Sequence, residues 1–233
     1  MIIAKFDGFT IIMVHIPKAA GSALRLTLRS KSSAAEDWRE FLQMNDGVDH
    51  THTALYYQYV QPHLSINSKV VISVRNPYDR IYSAYLFNQR TKHYTRHGIT
   101  KHSRFKWFKG SFQDLVKNKL RKWVTMARRD VSKFRPLEPV GIHFAPMTCF
   151  ITDTRGKPRV NYILRQEQLD EDYTQFCKSI GWTPDAAQIF HCAKSRPAAT
   201  YCYLSHFDLE MIEIINELYA DDFLYFGYTP IIL

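Results

Sequence analysis

Twice in this chain a short apolar run ends at a cation and gives way to a helical pattern. That repeat constrains the fold more than any other feature. In the first copy, Ile11 to Ile16 reads as a buried strand that stops at Pro17. Lys18, the small residues Ala19, Ala20 and Gly21, and then Ser22 and Ala23 follow, before Leu24, Leu26 and Leu28 open a helix. A helix N-terminus offers free N–H groups and the positive end of the helix dipole, so the junction is suited to an anion. Lys18 adds a full charge, the small side chains let a phosphate approach the backbone, and Ser22 can donate a hydroxyl. The junction reads as a cradle for a phosphate-like group of a nucleotide. A Walker A loop places its lysine directly after a glycine, with another glycine further upstream. Here Lys18 precedes Gly21, so an ATP- or GTP-hydrolysing loop of that type is disfavoured. Taken alone, Lys-x-x-Gly-Ser is equally a plain strand-to-helix turn with a surface lysine.

The second copy is Val70 to Tyr85. Val70 to Val74 is short, continuous and β-branched, as a buried strand should be. Arg75 stands at its carboxyl end, Asn76 is a capping residue type, and Pro77 falls where a first helical turn tolerates its missing N–H. Arg80 and Ser83, three apart on the following helix, would share a face and point with Arg75 toward one locus. Ligands of open α/β sheets sit beyond the carboxyl ends of the strands. Two strand ends carrying Lys18 and Arg75 imply a ligand with two separated anionic groups.

His15-Ile-Pro-Lys-Ala-Ala-Gly-Ser resembles the 5′-phosphosulfate loop of the membrane-type carbohydrate sulfotransferases, and Val74-Arg-Asn-Pro-Tyr-Asp-Arg-Ile-Tyr-Ser-Ala-Tyr resembles their 3′-phosphate motif. The two occur in the family's order and at about its separation, and cover roughly 30 of the 233 residues. Tyr162 to Asp172 resembles the family's strand followed by E-x-L-x-x-D, and Glu217 to Tyr228 its closing helix. The resemblance implies a P-loop-like sulfotransferase fold, 3′-phosphoadenosine 5′-phosphosulfate (PAPS) as donor, its bisphosphate PAP as product, and a hydroxyl, that of a carbohydrate first, as acceptor. Sulfuryl transfer, like phosphoryl transfer, is in-line displacement that proteins catalyse by positioning and electrostatics. On this resemblance Lys18 stabilises charge on the bridging oxygen of the leaving nucleotide. The segment Pro17, Lys18, Ala19, Ala20, Gly21, Ser22 and Ala23 holds the 5′-phosphate, chiefly through the N–H groups of Ala20 to Ala23. Arg75 and Ser83 hold the 3′-phosphate, a task that suits a permanently charged, bidentate arginine. No metal is implied, and no acidic pair is placed to bind Mg²⁺.

An acceptor hydroxyl needs a base that titrates near neutrality. His50 and His52, in Asp49-His-Thr-His-Thr53, lie about two dozen residues before Arg75. In heparan-type 2-O-sulfotransferases a His-x-His occupies the same place, its second histidine acting as base. The resemblance therefore assigns the base to His52 and a helping role to His50. As residues alone they are also ordinary members of a polar loop, or two-thirds of an incomplete metal set with Asp49. His143 is the rival: Gly141-Ile-His-Phe-Ala-Pro-Met resembles a His-aromatic-x-Pro segment of chondroitin- and dermatan-type relatives, and a half-buried structural histidine fits as well. Glu167 either orients a catalytic group or caps the helix that follows it.

Charge distribution sharpens the acceptor question. The chain carries +9, yet from Gln89 to Arg135 fifteen Lys and Arg face two acids, a local +13 that leaves −4 elsewhere. This block also holds several histidines and aromatics. It reads as an acceptor arm for an acidic glycan, with Tyr94, Arg104, Lys106 and Trp107, and Arg80 upstream, as candidates for touching the substrate. A non-catalytic polyanion-binding protein using residues 89–135 is the alternative function. Nucleic acid is the less favoured partner. A solvated helix with Leu115, Leu120, Trp123 and Val124 as its apolar stripe accounts for part of the same pattern.

The remaining features set bounds. Alternating strands and helices predict an α/β fold, a central parallel sheet flanked by helices, in a single domain over 1–233. The expected elements are a strand near 10–16, a helix near 20–30, strand and helix over 69–90, a helix around 111–129, strands at 149–152 and 160–164, and helices over 169–180 and 204–219. Tyr56 to Val60 is expected to extend a short helix. Cys149, Cys177, Cys192 and Cys202 form no C-x-x-C pair; free thiols in a reducing cell are the default, and two disulfides the luminal option. No signal peptide and no run of 18 apolar residues is present, which points to a soluble cytoplasmic enzyme, or to the Golgi lumen for a truncated catalytic domain.

Overall fold

A computed structural model describes residues 2–37, 65–90, 108–122, 124–125, 141–152, 157–183 and 202–232. In chain order the strands are β1 (Ile2–Phe6), β2 (Phe9–Met13), β3 (Ala34–Asp37), β4 (Ser68–Val74) and β5 (Tyr162–Arg165). The helices are α1 (Gly21–Lys31), α2 (Pro77–Arg90), α3 (Phe112–Asp114), α4 (Gly141–Phe144), α5 (Leu169–Ser179), α6 (Leu209–Leu218) and α7 (Ala220–Phe226). These fall into two compact units, one built from 1–76 and 147–201, the other from 77–146 and 202–233.

The first unit is a mixed α/β layer structure around a five-stranded sheet in the order β3-β1-β2-β4-β5. The pairings β2·β4 and β4·β5 are parallel, and β1 is antiparallel to both its neighbours, so four strands point one way and β1 alone is reversed. The reversal is a hairpin. Asp7-Gly8 is the two-residue connection between Phe6 and Phe9, and Gly8 has φ 80°, which its missing Cβ allows. The parallel strands read as unbroken β-branched runs because both their faces are covered: Ile12, Val70, Ile72 and Val74 are as buried as Ile11, Met13 and Val71. On one face Ile2, Ala4, Ile11, Met13, Val71 and Leu164 pack with Leu24 and Leu28 of α1 and with Leu169, Tyr173, Phe176 and Cys177 of α5.

Neither β1 nor β3 is among the expected elements, and several of those expected are altered. β2 ends at Met13 rather than Ile16, although the Val14 N–H still donates to Val71 at 3.1 Å. Residues 149–152 are not a strand: Met147–Phe150 is a 3₁₀ turn, and only Thr152 bridges to Pro158. The segment 204–219 is not one helix. Tyr203–His206 forms a 3₁₀ turn, and Asp208 then starts α6 afresh by accepting the Met211 N–H at 2.9 Å. The Tyr56–Val60 segment lies outside the described residues.

The second unit is helical with an aromatic centre. Tyr78, Tyr82 and Tyr85 recur on α2 at the spacing of one helix face. Tyr82 and Tyr85 pack on Phe112 at 4.9 and 5.2 Å between centroids, and Tyr78 packs on Phe207 and Phe223 at 5.6 and 5.3 Å. Ser111 and Asp114 form a reciprocal capping box at α3. The chain then continues as π-helix over Leu115–Leu120. Leu115 and Leu120, both fully buried, are five apart, the spacing a π turn stacks.

Candidate functional site

The first unit assembles three strand ends side by side. β2 leads into the Pro17–Ala20 turn, β4 into Arg75 and Asn76, and β5 into the 3₁₀ turn Gln166–Gln168. Because β2, β4 and β5 are adjacent and parallel, their carboxyl ends share one edge, the usual ligand edge of such a sheet. Two contacts knit that edge. The Arg75 guanidinium donates to the Lys18 carbonyl at 3.4 Å, and the Asn76 N–H donates to Glu167 Oε1 at 2.6 Å. Glu167 therefore serves the β4 end in addition to standing in the first turn before α5. Asp172, five residues on, accepts the Arg165 N–H at 2.7 Å, while Leu169 is buried in the core. The E-x-L-x-x-D pattern thus supplies one acceptor to the neighbouring strand end, one core residue and one acceptor to its own strand.

The Lys18 turn is bent against local preference. Lys18 has φ 68° and Ala20 has φ 62°, left-handed values for residues that carry a Cβ. Each such residue costs about 1–3 kcal/mol and persists only where its surroundings hold it. Left-handed φ at Lys18 and Ala20 on either side of Ala19 is the kind of alternation that anion nests use. Pro17 and Ala19 are buried, Lys18 and Ala20 half-buried, and Ser22 exposed, so the turn presents Lys18 and Ser22 outward. Helix α1 begins after Ala20 with no side-chain cap, leaving its first N–H groups to another acceptor. Ala23 is the exception among Ala20 to Ala23: its N–H already donates to the Ala20 carbonyl at 3.1 Å.

His15, which the motif reading passed over, packs into this turn. It is 8 % exposed, and a Cβ placed on Gly21 would stand 2.8 Å from its Nδ1 and 3.0 Å from its Cε1. Glycine in a helix is about 1 kcal/mol worse than alanine, so its presence here answers a close approach. The signal was available: a histidine at a strand end, six residues before a glycine that opens a helix.

The second unit holds the other described candidates. Ser83 is buried on α2. Arg80, expected to reach the acceptor, is instead wholly buried. Its guanidinium donates to the carbonyls of His143 at 3.2 Å and Ala145 at 2.5 Å and lies 5.8 Å from the Tyr219 ring centroid. Sharing a helix face with Ser83 did not put it on the surface; the face is internal. His143 is half-buried in α4, with its ring stacked on the exposed Phe87 at 5.6 Å. His50, His52, Tyr94, Arg104, Lys106 and Trp107 lie outside the described residues, as does Trp123.

Part of the basic block is neutralised from within the same unit. Lys117 meets Glu210 and, at 2.9 Å, Asp208; Arg121 binds Glu217 bidentately at 2.5 and 2.8 Å. The hydrogen bonds to Glu210 and Asp208 raise the Lys117 pKa. Leu115, Leu120 and Val124 are buried as an apolar stripe should be. Cys177 and Cys202 are free thiols, and burial pushes the Cys177 thiol up. Among the described residues no three His, Cys, Asp or Glu side chains group as metal ligands, and no helix is long and apolar enough to cross a membrane.

Compared with known proteins, the chain matches a family model described as "Sulfotransferase family" over residues 2–229, a span that runs through both units. No curated protein and no solved structure matches it.

Proposed function

The chain belongs to the sulfotransferase family, and from that premise we propose that it moves the sulfuryl group of 3′-phosphoadenosine 5′-phosphosulfate to a hydroxyl of a carbohydrate acceptor. Sulfuryl transfer as such follows from the family; the donor, the acceptor and the residue roles are our reading. One observation carries it: the Arg75 guanidinium is tied to the Lys18 main chain, which sets two cations beside an uncapped helix N-terminus at one sheet edge. A nucleotide with two separated phosphates fits that donor set. A plain surface turn would need neither the left-handed Lys18 and Ala20 nor the arginine beneath them.

In this reading the N–H groups of Ala20, Gly21 and Ser22 hold the 5′-phosphate, with the Ser22 hydroxyl beside them. Arg75 holds the 3′-phosphate, and for Ser83 the resemblance supplies the same role. The donor supplies a sulfuryl group on a phosphate leaving group. The acceptor oxygen bonds to sulfur as the bond from sulfur to the bridging oxygen breaks. Lys18 stabilises the charge that collects on that oxygen, and the acceptor proton passes to a histidine, His52 with His50 assisting, or His143 in their place. Glu167 fixes the Asn76 N–H and so the backbone beside Arg75. We propose a single sulfotransferase domain over residues 1–233.

The test is the melting shift with PAP against ADP and ATP, on wild type and Arg75→Ala. At 100 times Kd a ligand that binds only the folded state adds about 2.7 kcal/mol, a rise of several degrees for a chain of this size. A shift selective for PAP and lost in Arg75→Ala is expected, with a smaller loss in Ser83→Ala. No selective shift in wild type overturns the donor assignment. It would return attention to polyanion binding by 89–135, although Lys117 and Arg121 already face acids of α6.

A further inference from the structure

We infer that His15 is a positioning residue for the 5′-phosphate end of the donor: its ring, packed under Gly21, holds the Lys18 turn in its bent form and sets where the first N–H groups of α1 point. The inference rests on the donor reading above and adds a residue to it. His15 leaves β2 two residues after its end, is almost fully buried, and so cannot swing away as a surface side chain would. Its Nδ1 and Cε1 sit where a Gly21 Cβ would make contacts of 2.8 and 3.0 Å, with Met13 Cε at 3.2 Å behind them. Real Cβ atoms do not tolerate the first of these, so either the ring or the start of α1 would have to move.

Two supports therefore hold the strained turn. Arg75 grips it at Lys18 from the β4 side, and the His15 ring fills the space beneath Gly21 on the β2 side. A turn with left-handed residues at Lys18 and Ala20 relaxes when such support is removed. Relaxation displaces the N–H groups of Gly21 and Ser22, which in our reading face the 5′-phosphate. The 3′-phosphate, assigned to Arg75, depends on the turn less. His15 thus acts through the backbone and touches no ligand itself.

The experiment is calorimetric titration of wild type, His15→Ala, Gly21→Ala and the double variant with PAP and with 3′-AMP, which lacks the 5′-phosphate. Each single variant should bind PAP about tenfold more weakly, the effect of one charge-assisted contact, while 3′-AMP binding holds. The double variant should fall no further than the worse single one, because the clash requires the ring. Unchanged PAP affinity in His15→Ala, equal losses for both nucleotides, or additive losses would each overturn the inference. If His15→Ala does not fold, Gly21→Ala carries the test alone, and a selective loss of PAP supports it while wild-type behaviour sinks it. Failure of the donor reading looks different: wild type itself would then show no preference for PAP over 3′-AMP.

Discussion

Replacing Arg80 with methionine separates a structural arginine from a substrate-binding one. Methionine keeps most of the stem volume and removes the guanidinium. The His143 and Ala145 carbonyls lose donors at 3.2 and 2.5 Å, and Tyr219 loses a cation 5.8 Å from its ring centroid. An orphaned buried acceptor costs about 1–3 kcal/mol, and a desolvated cation–π contact about 2 kcal/mol. Against this, the variant no longer holds a cation away from water, which returns several kcal/mol. The two orphaned carbonyls and the lost ring contact, together about 4–8 kcal/mol, outweigh that return. We take about 3 kcal/mol. With a urea slope of about 2–3 kcal/mol per molar, the unfolding midpoint should fall by about 1 M. At about 2–4 °C per kcal/mol, Tm should drop by roughly 10 °C. Arg80→Lys should recover little, because one ammonium cannot reproduce the fork that spans two carbonyls. Below Tm, the acceptor KM should equal that of wild type. A midpoint within about 0.2 M of wild type together with a raised acceptor KM would refute the structural assignment and restore Arg80 to the substrate.

The other expectations are these. Glu167→Ala removes the acceptor of the Asn76 N–H and should cost about 1–2 kcal/mol in urea unfolding, with weaker PAP binding, while Glu167→Gln keeps an acceptor oxygen and should recover most of both. If alanine matches wild type in both assays, that contact carries no weight. Leu164→Ala opens the core between β5 and α5 and should cost about 2–5 kcal/mol; a loss under about 1 kcal/mol would contradict the packing described. Lys117 and the Met211 N–H hold the Asp208 carboxyl below its usual range, and Ser111 does the same for Asp114. A carboxylate with a depressed folded pKa adds stability that is complete above its unfolded value, near 3.8, and vanishes as pH falls through the folded one. Tm should therefore decline as pH falls below about 5, and Asp208→Asn should flatten part of that decline. A variant curve parallel to wild type counts against the assignment.

What the chain disclosed of its own structure depended on how local the deciding interaction is. The two strand-to-helix junctions were legible because their signals are contiguous: β-branched runs, then Pro17 or Pro77, then helical spacing, within some fifteen residues each. The β1–β2 hairpin is equally local, since Asp7-Gly8 between Phe6 and Phe9 is a turn signal. The break before α6 hinged on one short side chain, Asp208, capping a helix that apolar periodicity ran straight through. Arg80 shows where spacing stops: it tells which residues share a face, and the carbonyls that claim that face come from positions 63 and 65 residues away. The basic block makes the same point for charge. Counted along the chain, Lys117 and Arg121 add to a polyanion site; in the fold their partners are Glu210 and Glu217, 93 and 96 residues on. A glycan that used those two cations would have to displace carboxylates already in place, so the cations that remain for an acceptor in that helix are those that α6 does not reach, and a charge-reversal scan should find Lys119 and Lys122 more sensitive in acceptor KM than Lys117 and Arg121.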